Sequence, residues 1–211
     1  FTGFDTELAT AVCEKLGVEP DFVEINWDTK IVELDAKSID CIWNGMTATD
    51  ELKNQINFSS AYMNNSQVAV IRKADAAKYK DLASMSGAKV VAEAGSAGEI
   101  AVKADAGLSK SYLPVKDQGT SLMEVKSKTA DIAIIDAVTA AGSIGEGTDY
   151  DDLMIVDVIS SADSEVYAVG IRKSDTELTA KINAAIKELY DDGTLAKLAE
   201  KYNLSGRVIA Q

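Results

Sequence analysis

The sequence contains no histidine, only two prolines and two cysteines, and far fewer basic than acidic residues. The absence of histidine excludes a Ser-His-Asp or Cys-His catalytic arrangement and removes the commonest transition-metal ligand. No apolar run reaches the roughly 20 residues that a membrane-spanning helix needs. We therefore expect no catalytic centre of these types, no metal site, no cofactor and no membrane span in this chain.

The charge balance is strongly acidic, with 34 acidic and 21 basic residues and a formal net charge of −13. Phosphate groups repel such a surface, and no cluster of lysine or arginine compensates, so nucleic acid and anionic membranes are not expected partners. Hydrophobic residues make up 46% of the 211 residues, which is ordinary for a globular protein and predicts a folded chain.

The two cysteines, Cys13 and Cys41, each lie in an otherwise apolar stretch. Free cysteine behaves as a small hydrophobic residue, so two buried thiols are the simpler interpretation. A disulfide would suit an exported protein, but the sequence does not show whether the two residues are close enough. Both alternatives stay open at this point.

Helical and strand-like patterns alternate along the chain, which predicts an α/β fold with largely parallel sheets. The first helical pattern stops at Gly17, and a strand-like stretch follows at 21–26. A second block begins near Gln67, and its most apolar strand runs over 131–136. Because prolines are scarce, no stiff linker is expected, and two lobes would be joined by extended strands instead.

Six motifs follow one another in the order and spacing of one protein family. They are Gly3-Phe4-Asp5 with Glu7-Leu8-Ala9 and Lys15-Leu16-Gly17, then Asn44 to Glu51, Ile56 to Ser59 with Ala61-Tyr62, Glu93 to Ser96, Ala130 to Asp136, and Asp192 to Leu195. In this order the chain resembles the bacterial extracellular solute-binding proteins of family 3, the periplasmic-type amino-acid-binding proteins of ABC transporters. The resemblance covers nearly the whole chain.

The resemblance implies a two-lobed α/β fold of the periplasmic-binding-protein type II, with a hinge of two extended crossovers. Lobe 1 would hold residues 1–62 and 167–211, lobe 2 residues 67–162, and the hinge residues 63–66 and 163–166. Family members also place a central strand before Gly3, and this chain does not contain it. We therefore expect a first lobe truncated at its N-terminus, either distorted, with weaker ligand binding, or completed by another segment or chain in a strand-exchanged oligomer.

The function that the resemblance implies is capture of an amino acid for a membrane ABC transporter permease, by closure of two lobes over the ligand. Such a protein is extracellular or periplasmic, and a lipid anchor in the full-length precursor stays open. One alternative is an enzyme of the same fold, dehydratase-like, in which Glu93 acts as an acid or base. Another is the sensor domain of a signalling protein. We favour binding because no complete acid–base or nucleophile constellation accompanies the matched residues.

The candidate ligand-binding residues follow strand ends or begin a helix, where open α/β sheets place ligands. The full set is Trp27, Asn44, Gly45, Met46, Thr47, Glu93, Ser96, Ala97 and Asp136. Open amides and a hydroxyl at Gly45 and Thr47, and amides of the 95–98 turn, would hold an anion. The resemblance implies that Trp27 forms an aromatic wall and that Asp136 binds the ligand α-amino group. The competing interpretations are an ordinary turn at Gly45 and core packing of Trp27; Trp43 is expected in the core.

Two departures from the family pattern bear on the ligand. Leu52 replaces the arginine that clamps the ligand carboxylate in the family, and Lys53 beside it is expected to point elsewhere. Glu93 occupies a position from which family members contact the ligand side chain. With one cation lost and Glu93 near Asp136, the expected site is more negative. This favours a basic amino acid as the ligand. The opposing interpretation is that Glu93 faces away and the ligand is a neutral polar amino acid.

Overall fold

The computed structural model describes residues 1–159 and 165–211. Its helices are α1 (Phe4–Leu16), α2 (Lys30–Asp35), α3 (Asp50–Gln55), α4 (Ala97–Ala104), α5 (Gln118–Lys126), α6 (Ala137–Ser143), α7 (Thr176–Asp191) and α8 (Thr194–Lys201). Its strands are β1 (Cys41–Ile42), β2 (Asn57–Phe58), β3 (Met63–Asn65), β4 (Gln67–Arg72), β5 (Val90–Glu93), β6 (Tyr112–Val115), β7 (Ile132–Asp136), β8 (Leu153–Val158), β9 (Glu165–Tyr167) and β10 (Gly170–Ile171). In these two ranges, no helix combines the length and the apolar character needed to cross a bilayer.

The described residues divide into two compact units. The first comprises Phe1–Ile25, Thr29–Asn65 and residues 165–211, and the second comprises Asn26–Asp28 and residues 66–159. The short segment Asn26–Asp28, expected in lobe 1, thus groups with the second unit. Residues 160–162 of the expected lobe 2 and residues 163 and 164 of the expected hinge lie outside the described residues.

The second unit is built on a mixed five-stranded sheet with the strand order β6-β5-β7-β4-β8. Strands β6, β5 and β7 are parallel, whereas β4 pairs antiparallel with both β7 and β8. Every residue of β7 is buried, which explains why this strand is a continuous apolar run rather than an alternating one. The predicted apolar strand and the α/β class are therefore confirmed.

Alternate residues of β7 contribute to two separate clusters of the second unit's core. Ala133 and Ile135 belong to the cluster that contains Leu122 of α5, and Ile132 and Ile134 belong to the cluster around α4. Successive side chains of a strand point to opposite faces of its sheet, so helices cover both faces. This arrangement leaves the strand ends as the place where polar side chains can collect.

The first unit contains short antiparallel strands and a mainly helical core. Strand β10 lies between β1 and β2, and β3 pairs with β9. Helix α1 packs against α7 and α8 and ends at Gly17, which adopts the left-handed conformation with φ of 70° as predicted. The largely parallel sheet expected for this block is wrong, because all strand pairs among its described residues are antiparallel.

The strand predicted at 21–26 is also wrong. Residues 18–26 form neither helix nor strand, and Val18 and Val23 are 55% and 52% exposed. A strand requires a neighbour that satisfies its backbone hydrogen bonds, and no strand of the described ranges pairs with this segment. Its β-branched and aromatic residues favour a strand, but without a pairing partner this propensity does not lead to one.

One five-residue pattern recurs in both units with the same structural role. In 71–75 and 171–175, an arginine follows a buried isoleucine and precedes an aspartate by three residues. The Arg72 and Arg172 Nε atoms donate to these aspartates at 2.6 and 2.7 Å. Their Nη1 atoms donate to backbone carbonyls of Val125 and Ala130, and of Leu34 and Ile39, respectively. Each arginine thereby fastens a strand end to a neighbouring connection.

Candidate ligand-binding site

The second unit brings polar residues to one edge of its sheet. Glu93 ends β5, Asp136 ends β7, and Gln118 follows β6 as the first residue of α5. Because these three strands are parallel, their C-terminal ends share one edge. Gln67 lies there too, since the antiparallel strand β4 begins opposite Asp136. Open α/β sheets place ligands at this edge.

Asp136 is the centre of a hydrogen-bond network at this edge and is 6% exposed. Gln67 Nε2 donates to Asp136 Oδ1 at 2.6 Å, and Gln118 Nε2 donates to Oδ2 at 2.5 Å. The backbone N–H of Asp136 donates to Gln118 Oε1 at 3.0 Å. Asp136 was among the predicted ligand-binding residues, whereas neither glutamine was. A polar residue at the start of the apolar strand β4 was the available indication for Gln67.

The 95–98 turn connects β5 to α4 at the same edge. Ser96 is the N-cap of α4, where its Oγ accepts a hydrogen bond from the Glu99 N–H at 3.1 Å. Gly98 allows a close approach, because a Cβ there would lie 2.9 Å from the Ile134 carbonyl oxygen. The turn and the start of α4 are therefore held directly against β7.

Glu99 occupies part of the anion site that was expected in this turn. The Gly95 N–H donates to Glu99 Oε2 at 2.8 Å, and the Tyr112 O–H donates to Oε1 at 2.9 Å. Burial raises the pKa of Glu99, but hydrogen bonds from Lys103, Gly95 and Tyr112 leave that pKa below its ordinary value. The expectation of an open amide at Gly95 is wrong, because a carboxylate of the same chain already accepts from it.

In the first unit, the loop after β1 is held by Asp5. The Gly45 N–H donates to Asp5 Oδ2, and the Tyr62 O–H donates to Asp5 Oδ1 at 2.8 Å. The open amide expected at Gly45 is therefore wrong as well. Gly45 has φ of +59°, and a Cβ there would lie 3.2 Å from Cζ of the Tyr167 ring. Both the conformation and the close ring require glycine at this position.

The other loop residues differ in how far their side chains can reach a ligand. Asn44 is exposed, and Thr47, 9% exposed, forms a backbone bridge to Tyr167. Met46 is 1% exposed, and its Sδ would be 2.6 Å from a Cβ at Gly170. The Met46 side chain therefore belongs to the core, which corrects its place among the candidate side chains.

The two tryptophans and Glu93 are half-buried. Trp27 begins a single 3₁₀ turn, Trp27–Thr29, and groups with the second unit rather than with lobe 1 as expected. The indole Nε1 atom of Trp43 is buried and has no hydrogen-bond partner among the described residues. Trp43 is thus buried at its polar atom but is not a fully buried core residue.

Leu52, which replaces the arginine of the family signature, and its neighbour Lys53 both lie in helix α3. The Leu52 N–H donates to Thr49 Oγ1, the N-cap, at 3.3 Å. Lys53 Nζ pairs with Asp50 at 2.9 Å. Lys53 is therefore directed along its own helix.

Cys13 and Cys41 are free thiols, so no disulfide joins them, and both residues are half-buried rather than buried as the first alternative expected. Burial raises the pKa of the Cys13 thiol, and burial is also the main cause that raises the pKa of Cys41 to about 11. Both thiols are consequently protonated and unreactive near neutral pH.

The family model for bacterial extracellular solute-binding proteins, family 3, matches residues 1–205. The chain belongs to this family. The family's description places its members outside the cytoplasm, so an extracellular or periplasmic location follows from membership.

Three similar proteins illustrate the range of this solute-binding family. The arginine-binding extracellular protein ArtP of Bacillus subtilis is 33% identical over 95% of this chain and 77% of its own length. A mutant of arginine-bound ArgBP from T. maritima has a TM-score of 0.80 and 33% identity, covering 89% of this chain and 85% of that one. The ancestral amino-acid-binding protein AncCDT-1, a precursor of cyclohexadienyl dehydratase, has a TM-score of 0.84 and 32% identity, covering 95% and 85%.

The expected fold class is confirmed by these comparisons. The solved structures similar to this solute-binding protein are amino-acid-binding proteins of the type II periplasmic class, and they match nearly its whole length. The α/β class, predicted from the alternation of helices and strands, and the two-lobed type, implied by the family resemblance, are thus both correct.

Proposed function

We propose that this chain captures a basic amino acid outside the cytoplasm and delivers it to an ABC importer. The observation that carries the proposal is the pair of carboxylates at one sheet edge. Asp136 ends β7, and Glu93 ends the neighbouring parallel strand β5. A basic amino acid carries two cationic groups, and two carboxylates at one edge favour both. Similarity to the arginine-binding protein ArtP and to arginine-bound ArgBP supports the same ligand class.

We assign each group of the ligand to one part of the site. Asp136 would accept from the α-ammonium group, and Glu93 would accept from the cationic side chain. Trp27 would cover that side chain, since a cation over an indole gains about 0.5–2 kcal/mol. The ligand carboxylate would meet the Ala97 end of α4, where the helix dipole favours a negative charge, together with Thr47. Asn44 and Ser96 complete the proposed set.

The proposal includes a hinge and a transporter partner. The chain leaves the first unit after Asn65, and β3 pairs there with β9 in a two-stranded antiparallel ladder. We propose that 63–66 and 163–166 bend when the two units close over the ligand, as the family resemblance implies. A closed, ligand-bound form is what the permease of an importer would recognise.

A second copy of the chain is a further partner within the proposal. Among the described residues, β1 pairs with β10 on one side only. An edge strand of this kind can accept a strand from another chain. Light scattering after size exclusion would show a dimer if this pairing forms in solution, and a monomer at all concentrations would exclude it.

We propose binding rather than conversion of the ligand. AncCDT-1 is described as a precursor of a dehydratase and is itself an amino-acid-binding protein, so the fold alone does not decide the matter. Incubation of the chain with L-arginine, followed by NMR of the mixture, should return the amino acid unchanged. Turnover of any amino acid in the same assay would replace the proposal with an enzymatic one.

The ligand class is tested with Glu93→Gln. Isothermal titration calorimetry with L-arginine should show about tenfold weaker binding, because the substitution removes one charge that faces the cationic side chain. Glu14→Gln, at an exposed position of α1, removes the same charge and should behave as wild type. Equal arginine affinities for the two variants would mean that Glu93 does not contact the ligand.

A further inference from the structure

We infer that Gln118 is a positioning residue that sets the orientation of Asp136 and so determines recognition of the ligand α-ammonium group. This inference rests on the proposed function, because it assigns Gln118 a role in the same site. Gln118 is not part of the motifs that identify the family in this chain.

The geometry consists of two opposed hydrogen bonds between one pair of residues. Gln118 Nε2 donates to the Asp136 carboxylate at 2.5 Å, while Gln118 Oε1 accepts from the Asp136 backbone N–H at 3.0 Å. Only one orientation of the side-chain amide satisfies both contacts, because the amide has a donor at one end and an acceptor at the other. The amide therefore couples the carboxylate of Asp136 to its own backbone.

Gln118 lies on helix α5, which is itself held firmly in place. It is the first residue of α5, and the N-cap Asp117 accepts from the Thr120 N–H at 2.6 Å. Leu122 and Val125 of the same helix are buried in the core of the second unit. A side chain on such a helix holds its partner more rigidly than a side chain on a loop does.

Gln67 holds the other carboxylate oxygen from the sheet. It is 1% exposed, and its Nε2 donates to Asp136 Oδ1 at 2.6 Å. The two glutamines thus fix one oxygen each with neutral donors. A neutral amide orients a carboxylate without cancelling its charge, which a lysine or arginine in the same place would do. The arrangement suits a carboxylate whose task is to attract a cationic group.

The test is a thermodynamic cycle with Gln118→Leu and Asp136→Asn. Calorimetry would measure the dissociation constants of L-arginine and of its α-deamino analogue, 5-guanidinopentanoic acid, for both single variants and the double variant. If Gln118 acts through Asp136, Gln118→Leu weakens L-arginine by about tenfold or more and the analogue by less than about threefold. In the Asp136→Asn background, Gln118→Leu should have no further effect.

Two outcomes would overturn the inference. Equal losses for the two ligands, or additive losses in the double variant, would mean that Gln118 only supports the fold. Gln55→Leu, at an exposed position of α3, is the matched control and should bind as wild type. If Gln118→Leu does not fold, Gln118→Met enters the same cycle with the same criteria. Failure of wild type to bind any amino acid would contradict the proposed function instead, so the two failures are distinguishable.

Discussion

Gly98 and Gly142 lie in helices α4 and α6 of the second unit, but their surroundings differ. A Cβ at Gly98 would meet the Ile134 carbonyl oxygen at 2.9 Å and Gln67 Oε1 at 3.1 Å, whereas a Cβ at Gly142 would meet nothing within 4 Å. The first glycine is thus required by a close backbone approach beside the candidate site. The second carries only the entropic cost of glycine in a helix.

We predict opposite effects for alanine at these two positions. Gly98→Ala should lower the free energy of unfolding by about 1–3 kcal/mol, because helix α4 must move away from β7. Gly142→Ala should raise it by about 0.4–1 kcal/mol. Urea denaturation of both variants checks the pair. A Gly98→Ala variant as stable as wild type would mean that α4 does not pack as closely as described.

Single residues of the site could be predicted where their position at the end of a strand or the start of a helix was enough to identify them. Asp136 ends the most apolar strand, and Ser96 begins a helix, so the sequence indicated both. The hydrogen bond between Gly45 and Asp5 joins residues 40 positions apart in the sequence, and the hydrogen bond between Gln118 and Asp136 joins residues 18 positions apart. Such contacts depend on tertiary packing, which no local pattern encodes, and this is why the open amide expected at Gly45 was wrong and Gln118 was missed. The Gly95 amide donates instead to Glu99, only four residues further along the chain.

At the scale of elements, Asp192 fastens α1 to the junction of α7 and α8. It accepts from the Thr194 N–H at 2.9 Å and from Lys15 Nζ at 3.0 Å. Hydrogen bonding by Thr194, followed by that of Lys15, lowers the pKa of Asp192 from its ordinary 3.8 to about 2. A carboxyl group with a depressed pKa stabilises the folded state above its unfolded pKa and loses that contribution as the pH falls.

We therefore predict that Asp192→Asn is less stable than wild type near pH 6. The difference should shrink as the pH falls from about 4 to about 2, where the wild-type carboxylate becomes protonated. Urea denaturation at a series of pH values measures this convergence. Asp21→Asn, in the exposed segment before α2, controls for the loss of one negative charge. A difference that stays constant down to pH 2 would contradict the role of this carboxylate.

Arg172 connects β10 to the end of α2 in the first unit. Arg172→Met would remove the side-chain donor to the Ile39 carbonyl and one of two donors to the Leu34 carbonyl, which also accepts from the Lys37 N–H at 3.2 Å. Because the substitution removes several hydrogen bonds from a charged donor, including those to Asp40 and Asp175, we predict a loss of about 2–4 kcal/mol in the free energy of unfolding. Lys181→Met, which removes an exposed ion pair with Glu177, should cost less than about 0.5 kcal/mol. Similar values for the two variants would exclude a structural role for Arg172.

The elements of the second unit followed from sequence better than those of the first. The apolar strand β7 is buried by helices on both faces, so its sequence is unambiguous. Strands β1, β2 and β10 of the first unit have two residues each, too few to show any periodicity. The segment 21–26 has strand propensity without a pairing partner among the described residues, and propensity alone did not decide its structure.

At the scale of the whole molecule, the order of motifs was more informative than any single pattern. Gly3-Phe4-Asp5, the Asn44–Glu51 stretch and Ala130 to Asp136 lie far apart in sequence and in two different units. Each alone is a common strand-to-loop or helix-start sequence. Their common register carried the resemblance, and the match of the family to residues 1–205 confirms it.

The most direct test of the proposed function is thermal unfolding with a panel of amino acids, each at millimolar concentration. A ligand present at about 100 times its dissociation constant stabilises the folded state by about 2.7 kcal/mol, which raises the unfolding midpoint by several degrees. We predict that L-arginine, L-lysine or L-ornithine raises the midpoint and that L-glutamine and L-glutamate do not. A shift with neutral amino acids alone, or with no compound of the panel, would contradict the account.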